Sequence, residues 1–295
     1  MPAPVPPGFT RGPIIFIGAI TAPQAERALL QSFWDEAGSY GARILIVPTA
    51  AGADRAADHY RTLFAEWETE SVTVLSVHDR KEAAAEANVK LVENATGILL
   101  LDGNPLRFTS VLGGSPLAQA LRRANARGRV VCAIGRSGSI LCQHMIAFDN
   151  QQALPNAFVH RSLIQFAPGL GLVNRLVIDA AQPGAPMSAL LGRLITAVAY
   201  NPFLIGAGVE PNTGLVLYAN SVTEVFGAGS VVVTDGWQIS QTTLHSHAVD
   251  QPASVSGVQM SILTHGCTFD LDSHVASQPV ASEIPGTGYE AYSSF

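Results

Sequence analysis

The sequence predicts an α/β protein: a three-layer domain on a mostly parallel sheet, with an antiparallel β extension toward the C-terminus. Three observations predict it. Up to residue 134, short continuous apolar runs alternate with segments of helical period. That is the pattern of parallel strands buried on both faces and joined by helices. After residue 214 the spacing changes to short strands separated by Gly, Asn or Asp, as in antiparallel sheets. Finally, 47% of the 295 residues are hydrophobic and only 14% charged, which suits a large core and not a disordered chain.

Residues 1–13 carry five prolines and read as an extended arm. Ile14–Gly18 is a buried strand, and residues 23–37 are a helix with Ala25, Leu29, Leu30 and Phe33 on one face. Arg43–Val47 is a second strand, ended by Pro48, and 53–68 is a helix. Ser71–Val77 is a strand and Lys81–Asn94 an Ala/Glu-rich helix. Gly97–Leu101 is a strand that ends in the turn Asp102-Gly103-Asn104-Pro105. Residues 115–127 form a helix and Arg129–Ile134 a strand. Ligands of such sheets sit at the carboxyl ends of the strands, so the turns at Gly18, Pro48, Gly103 and Gly135 should line one rim. The extension comprises strands near 215–218, 222–225, 230–234 and 258–264. The expected organisation is an arm (1–13), an α/β domain (14–275, its β extension starting at about 215) and an aperiodic surface tail (276–295).

The most informative stretch is Val130–Ile140. A β-branched run climbs into Gly135-Arg136-Ser137-Gly138-Ser139, after which an amphipathic helix is expected. This is the layout of a nucleophile elbow, in which a serine is held in a tight strand-to-helix turn with its hydroxyl exposed. Gly135, Ser137 and Ser139 keep the small-x-Ser-x-small spacing, because the turn leaves no room for large flanking side chains. Arg136 is the unusual member, a long cation next to the candidate nucleophile.

A net charge of −6 and a pI near 5.7 argue against a nucleic-acid or anionic-membrane partner. Cys132, Cys142 and Cys267 are odd in number, lie among apolar neighbours and lack metal-ligand spacing, as expected of reduced thiols in a cytoplasm. The N-terminus lacks the basic-then-apolar pattern of a signal peptide. No run of about 18 apolar residues suggests a membrane span. No cofactor or metal is expected.

Five blocks in order over residues 14–272 resemble the cyanophycinase family. Phe33-Trp34 with Ile46-Val47-Pro48-Thr49-Ala50 is similar to that family's early helix and "IPSAS" turn. Gly97–Arg107 resembles "GIFxTGGDQLRL", and the elbow resembles "AGTSAGA". Gly169–Leu172 with Val177-Ile178-Asp179 resembles "GLGL…VVDQHF". Leu191–Leu194, Asn201-Pro202 and Gly206–Thr213 resemble "RLGRLL…HPELLGIGIDEDT", and Leu263–Gly266 resembles "LVHG". The resemblance implies a flavodoxin-like fold of the class I glutamine amidotransferase type. It also implies serine peptidase chemistry that releases β-aspartyl-arginine from an Asp/Arg polymer. That chemistry needs a serine, a histidine to take its proton, an orienting acid, and backbone N–H groups aimed at the oxyanion.

Carried over position by position, the nucleophile falls on Ser137, and Gly103, Asn104, Arg136 and Gly138 border the oxyanion pocket. The histidine of "DQHF" falls on Ala181, and the Asp-Gln of "GGDQ" on Asn104-Pro105. The "GGAEDK" turn becomes the uncharged Gly18–Pro23, and "DEDT" becomes Glu210–Thr213. The acid before "GLGL" maps near Ala157 or Gln165. The losses cluster at the rim, while scaffold glycines and core runs stay.

Several histidines are alternative bases. His144 is expected two helical turns below Ser137 and His265 in a structural block, while His160, before Arg161, sits in a loop able to swing toward the rim. His245, His247 and Asp250 are close enough for a weak metal site to be conceivable, but two histidines do not define one and a solvated polar face is the favoured reading. Two functions lead, ahead of a third in which the chain is a scaffold whose tails dock another protein. One is a catalytically degenerate homologue acting in binding or assembly, as a dimer or beside an active relative, with an Asp/Arg peptide as a candidate ligand. The other is a working serine hydrolase that uses Ser137 with a relocated base.

Overall fold

A computed structural model describes residues 2–48, 54–149, 158–246 and 251–279. Thr49, Ala50, Ala157, His247, Asp250 and positions 280–295 lie outside them. In chain order the N-terminal half runs β1 (Ile14–Ile17), α1 (Pro23–Ala37), β2 (Arg43–Val47), α2 (Asp54–Glu66), β3 (Ser71–Val74), α3 (Glu86–Asn94), β4 (Gly97–Leu100), α4 (Pro105–Leu112), α5 (Pro116–Ala126) and β5 (Val130–Ile134). After 3-10 turns at Gly135–Leu141 come β6 (His144–Asp149), β7 (Ile164–Pro168), β8 (Leu176–Ala180), α6 (Met187–Tyr200) and β9 (Ile205–Val209). The remaining strands are β10 (Thr213–Leu217), β11 (Val222–Gly227), β12 (Val231–Asp235), β13 (Gln241–Thr242), β14 (Val255–Ser256), β15 (Gln259–Leu263), β16 (Thr268–Asp270) and β17 (Val275–Ser277).

A nine-stranded sheet of order β17-β16-β11-β10-β1-β5-β4-β2-β3 forms the middle layer. Its β1-β5-β4-β2-β3 half is parallel, and β10, β11, β16 and β17 extend it antiparallel from the β1 edge. Strand side chains alternate between two cores. Ile15, Ile17, Ile44, Ile46, Leu99 and Cys132 pack under α1 and α2, through residues such as Leu30, Phe33 and Phe64. Ile14, Phe16, Leu45, Ile98, Leu100 and Val131 pack under α3 and α5. This two-sided burial is why the strands read as unbroken apolar runs. Burial also pushes the Cys142 thiol up to about 12.

A second, four-stranded sheet of order β15-β12-β9-β8 shares the α3/α5-side core. Its outer face carries α6. Leu190 and Leu194 lie so close to Gly208 that a Cβ there would stand 2.7 Å from Leu190. The run Gly206-Ala207-Gly208 is therefore a strand, where glycines usually suggest a loop.

Three expectations need correction. The segment after β5 is not an amphipathic α-helix but short 3-10 turns followed by β6, which pairs with β7. Leu170 and Leu172 donate their N–H groups to Ile140 and Leu141, which holds the turns against the β7–β8 connection. The stretch from 105 is not a turn only: Pro105 starts α4. And the tail is not unstructured from 276, because Val275–Ser277 pairs with β16. The arm, for its part, is tied to its own chain. Asn125, fully buried, donates to the carbonyls of Gly12 (2.9 Å) and Arg129 (3.2 Å) and accepts from Arg11 Nη1 at 3.2 Å.

Candidate active site

The connections leaving β1 and β5 pass to opposite faces of the sheet, since α1 joins one core and Ile140-Leu141 the other. Such a switch point opens a crevice at the strand ends, and the elbow residues lie there. Gly135 adopts φ +62°, a left-handed conformation that favours glycine. It also leaves room for Asp102, whose carboxylate carbon would lie 2.6 Å from a Cβ. The positive φ falls on Gly135 and not on Ser137.

Ser137 does not present its hydroxyl. It is fully buried in the 3-10 turns, and its Oγ donates to the Leu101 carbonyl at 2.7 Å. Gly138 sits beside Ile178 and Phe16, with a would-be Cβ 3.5 Å from Ile178. Two of the amides expected to border an oxyanion pocket are also engaged. One oxygen of Asp102, Oδ1, accepts the N–H of Gly103 at 2.8 Å and of Arg136 at 3.0 Å. Asn104 caps α4, accepting the Arg107 N–H at 3.1 Å, and Pro105 fills the first helical position, where no N–H is needed. Asn104-Pro105 thus carries a helix start where the family motif carries Asp-Gln.

Above the turns lies a cavity of about 270 Å³, lined among others by Asn104, Arg136, Ser139, Asp179, Gln182 and Arg193. Arg136 is exposed at its mouth, and among the described residues its guanidinium makes no hydrogen bond or ion pair. Asp179 and Arg193, both largely buried, are joined at 2.6 Å. Ala181 opens onto a neighbouring cavity of about 240 Å³ shared with Leu190, Arg193 and Glu210. Glu210 Oε2 accepts both the N–H and the hydroxyl of Ser230 at 2.8 Å. Asn212 of the same turn accepts the Thr21 and Ala22 N–H groups, at 2.8 and 3.2 Å, and so ties the β10 entry to the loop before α1.

The histidines sit in other settings. His144 is on β6, not on a helix, with its ring edge-on to Phe166 at 6.3 Å. His160 does not swing on a loop: it is buried, bridges to Pro252 and bonds Ser162 Oγ through Nδ1 at 3.1 Å. His245 packs on Tyr200, and His265 Nδ1 accepts the Gly227 N–H. His274 bonds Asp235 at 2.6 Å. No group of three or more His, Cys, Asp or Glu among the described residues could hold a metal ion. Likewise, no described helix is long and apolar enough to cross a membrane.

Burial lowers the His160 pKa below its ordinary value, near 6.5. The stability it contributes is therefore complete above about pH 6.5 and is lost as pH falls through the lowered folded value. Thermal denaturation between pH 7 and 5 should show a steeper fall in Tm for the native protein than for His160→Gln; parallel curves would refute this.

The sequence signal for the role of Asp102 was Asp-Gly standing where the family motif has Gly-Gly, and it points to a side chain beside the elbow. Comparison with known proteins then gives three findings. The model of peptidase family S51 matches residues 14–222. Cyanophycinases of Geminocystis herdmanii and of a Nostoc species are each 28% identical to the chain, over 94% and 90% of it and 98% and 87% of their own lengths. The crystal structure of a peptidase from an acI-B1 Actinobacterium superposes with a TM-score of 0.63 at 19% identity, covering 89% of this chain and 98% of that one. It shares the fold.

Proposed function

Starting from a chain that belongs to peptidase family S51, we propose a member that keeps the serine-peptidase scaffold without its hydrolytic activity and serves as a binding or assembly subunit. The observation that carries this reading is the Ser137 hydroxyl, buried and donating to the Leu101 carbonyl. A serine attacks only when a base can take its proton and the hydroxyl faces substrate. Asp102 supports the same reading, because a carboxylate on the Gly103 and Arg136 amides repels the negative charge an oxyanion pocket must attract. Ala181, at the position of the family's histidine, offers no base. The cavity beside Arg136 is the place for a retained ligand, an Asp/Arg peptide held through its carboxylate, since guanidinium groups bind carboxylates in two-pronged fashion. The assembly role is a cytoplasmic dimer or a mixed oligomer with an active relative.

Purified protein incubated with cyanophycin should release no β-aspartyl-arginine, and Ser137 should resist a fluorophosphonate probe. Ala181→His alone should restore nothing, because catalytic groups that act as a unit fail as a unit. Robust turnover that disappears in Ser137→Ala would establish the opposite reading, an active hydrolase with a relocated base.

A further inference from the structure

On the α1/α2 face, away from the elbow, Trp34, Tyr40 and Trp67 line an open groove of about 290 Å³ with Gln31, Glu66 and Glu68, Trp34 being only 6% exposed. Trp34 comes from the last turn of α1, Tyr40 from the turn after it and Trp67 from the residue after α2. The rings stand nearly at right angles. Trp34 and Tyr40 are 5.1 Å apart at 84°, and Trp34 and Trp67 5.8 Å apart at 69°. The walls are braced from behind. The Trp34 indole N–H donates to Thr69 Oγ1 at 2.9 Å, and Thr69 in turn donates to the Phe64 carbonyl. Phe64 packs edge-on against Trp67 at 5.5 Å. Tyr40 is 66% exposed, so much of its ring is open to solvent at the groove.

The titratable side chains that line the groove are acidic, and one of them, Glu66, is already neutralised by Arg27. The C-termini of α1 and α2 meet there, and neither last turn holds a basic residue. Helix C-termini carry partial negative charge and favour cations. Glu66 already holds a guanidinium, that of Arg27, at 2.6 Å. Glu68, beside it at φ +56°, has a carboxylate with no hydrogen bond or ion pair among the described residues. Aromatic faces attract cations through their quadrupoles, most strongly where several rings share one cation.

We propose that this aromatic groove is a binding site for a small organic cation of the alkylammonium class, with Trp34, Tyr40 and Trp67 as its walls and Glu68 as the counter-charge. The site is independent of the Ser137 region. The test is NMR titration of the three tryptophan indole N–H signals with choline and with its uncharged isostere 3,3-dimethylbutan-1-ol. Choline should shift Trp34 and Trp67 but not Trp237, with millimolar affinity, and the isostere should bind roughly tenfold more weakly. Tyr40→Ala and Glu68→Gln should each weaken choline binding, and Glu68→Gln, at an exposed position, should do so without changing Tm. The proposal fails if choline gives no shift up to about 50 mM, if the isostere matches it, if all three indoles move together, or if neither variant weakens binding.

Discussion

Arg193→Ala should lower the unfolding free energy by about 3–5 kcal/mol, measured by urea denaturation. The Asp179–Arg193 pair joins β8 to α6 with both side chains largely buried, at 6% exposure for Arg193 and 15% for Asp179. Truncating the arginine leaves the carboxylate in a poorly solvated place without the Arg193 guanidinium. The double variant Asp179→Leu/Arg193→Met should lose less than the single one, since removing both charges also removes their desolvation cost. A single-variant loss below about 1 kcal/mol would mean that water screens the pair as it does at a surface.

The second large effect is expected at Asn125→Leu, with a loss of about 2–4 kcal/mol. Leucine has the same number of side-chain heavy atoms as asparagine but strands the carbonyls of Gly12 and Arg129, and buried polar groups without partners cost about 1–3 kcal/mol each. The arm should also become sensitive to protease near Arg11, which separates this effect from a general loss of packing. Unchanged cleavage and an unchanged denaturation midpoint would remove Asn125 from its role as the clasp.

The parallel half of the fold was legible because its strands are buried on both faces, and such burial writes uninterrupted apolar runs into the chain. The second sheet was harder to read. In β9 the signal is inverted: glycines that look like loop are there because α6 presses its leucines onto the strand. The helix α4 was announced by Asn104-Pro105, an N-cap followed by proline, yet the same dipeptide reads equally well as a turn. The elbow was located by its small residues, and its direction was not. Whether the Ser137 hydroxyl faces out or in depends on the path of the turns after it. That path is set by hydrogen bonds to residues 170–172, about thirty positions downstream. The contacts of Asp102 have no periodic trace in the sequence, since its carboxylate caps two amides 1 and 34 positions away; only Asp-Gly in place of Gly-Gly marks it.

The register of β1 has a consequence for how the chain comes to be folded. Ile14–Ile17 pairs on one side with β5, complete at residue 134, and on the other with β10, which begins only at residue 213. During synthesis the parallel half can therefore assemble while one edge of its fully apolar first strand stays open. The intervening 78 residues take roughly 4–16 seconds to emerge at ordinary translation speeds. An open apolar strand edge invites pairing with another chain. The nascent protein thus passes through an interval of exposure that the finished one does not have, and a ribosome stalled before residue 213 would release an aggregation-prone fragment.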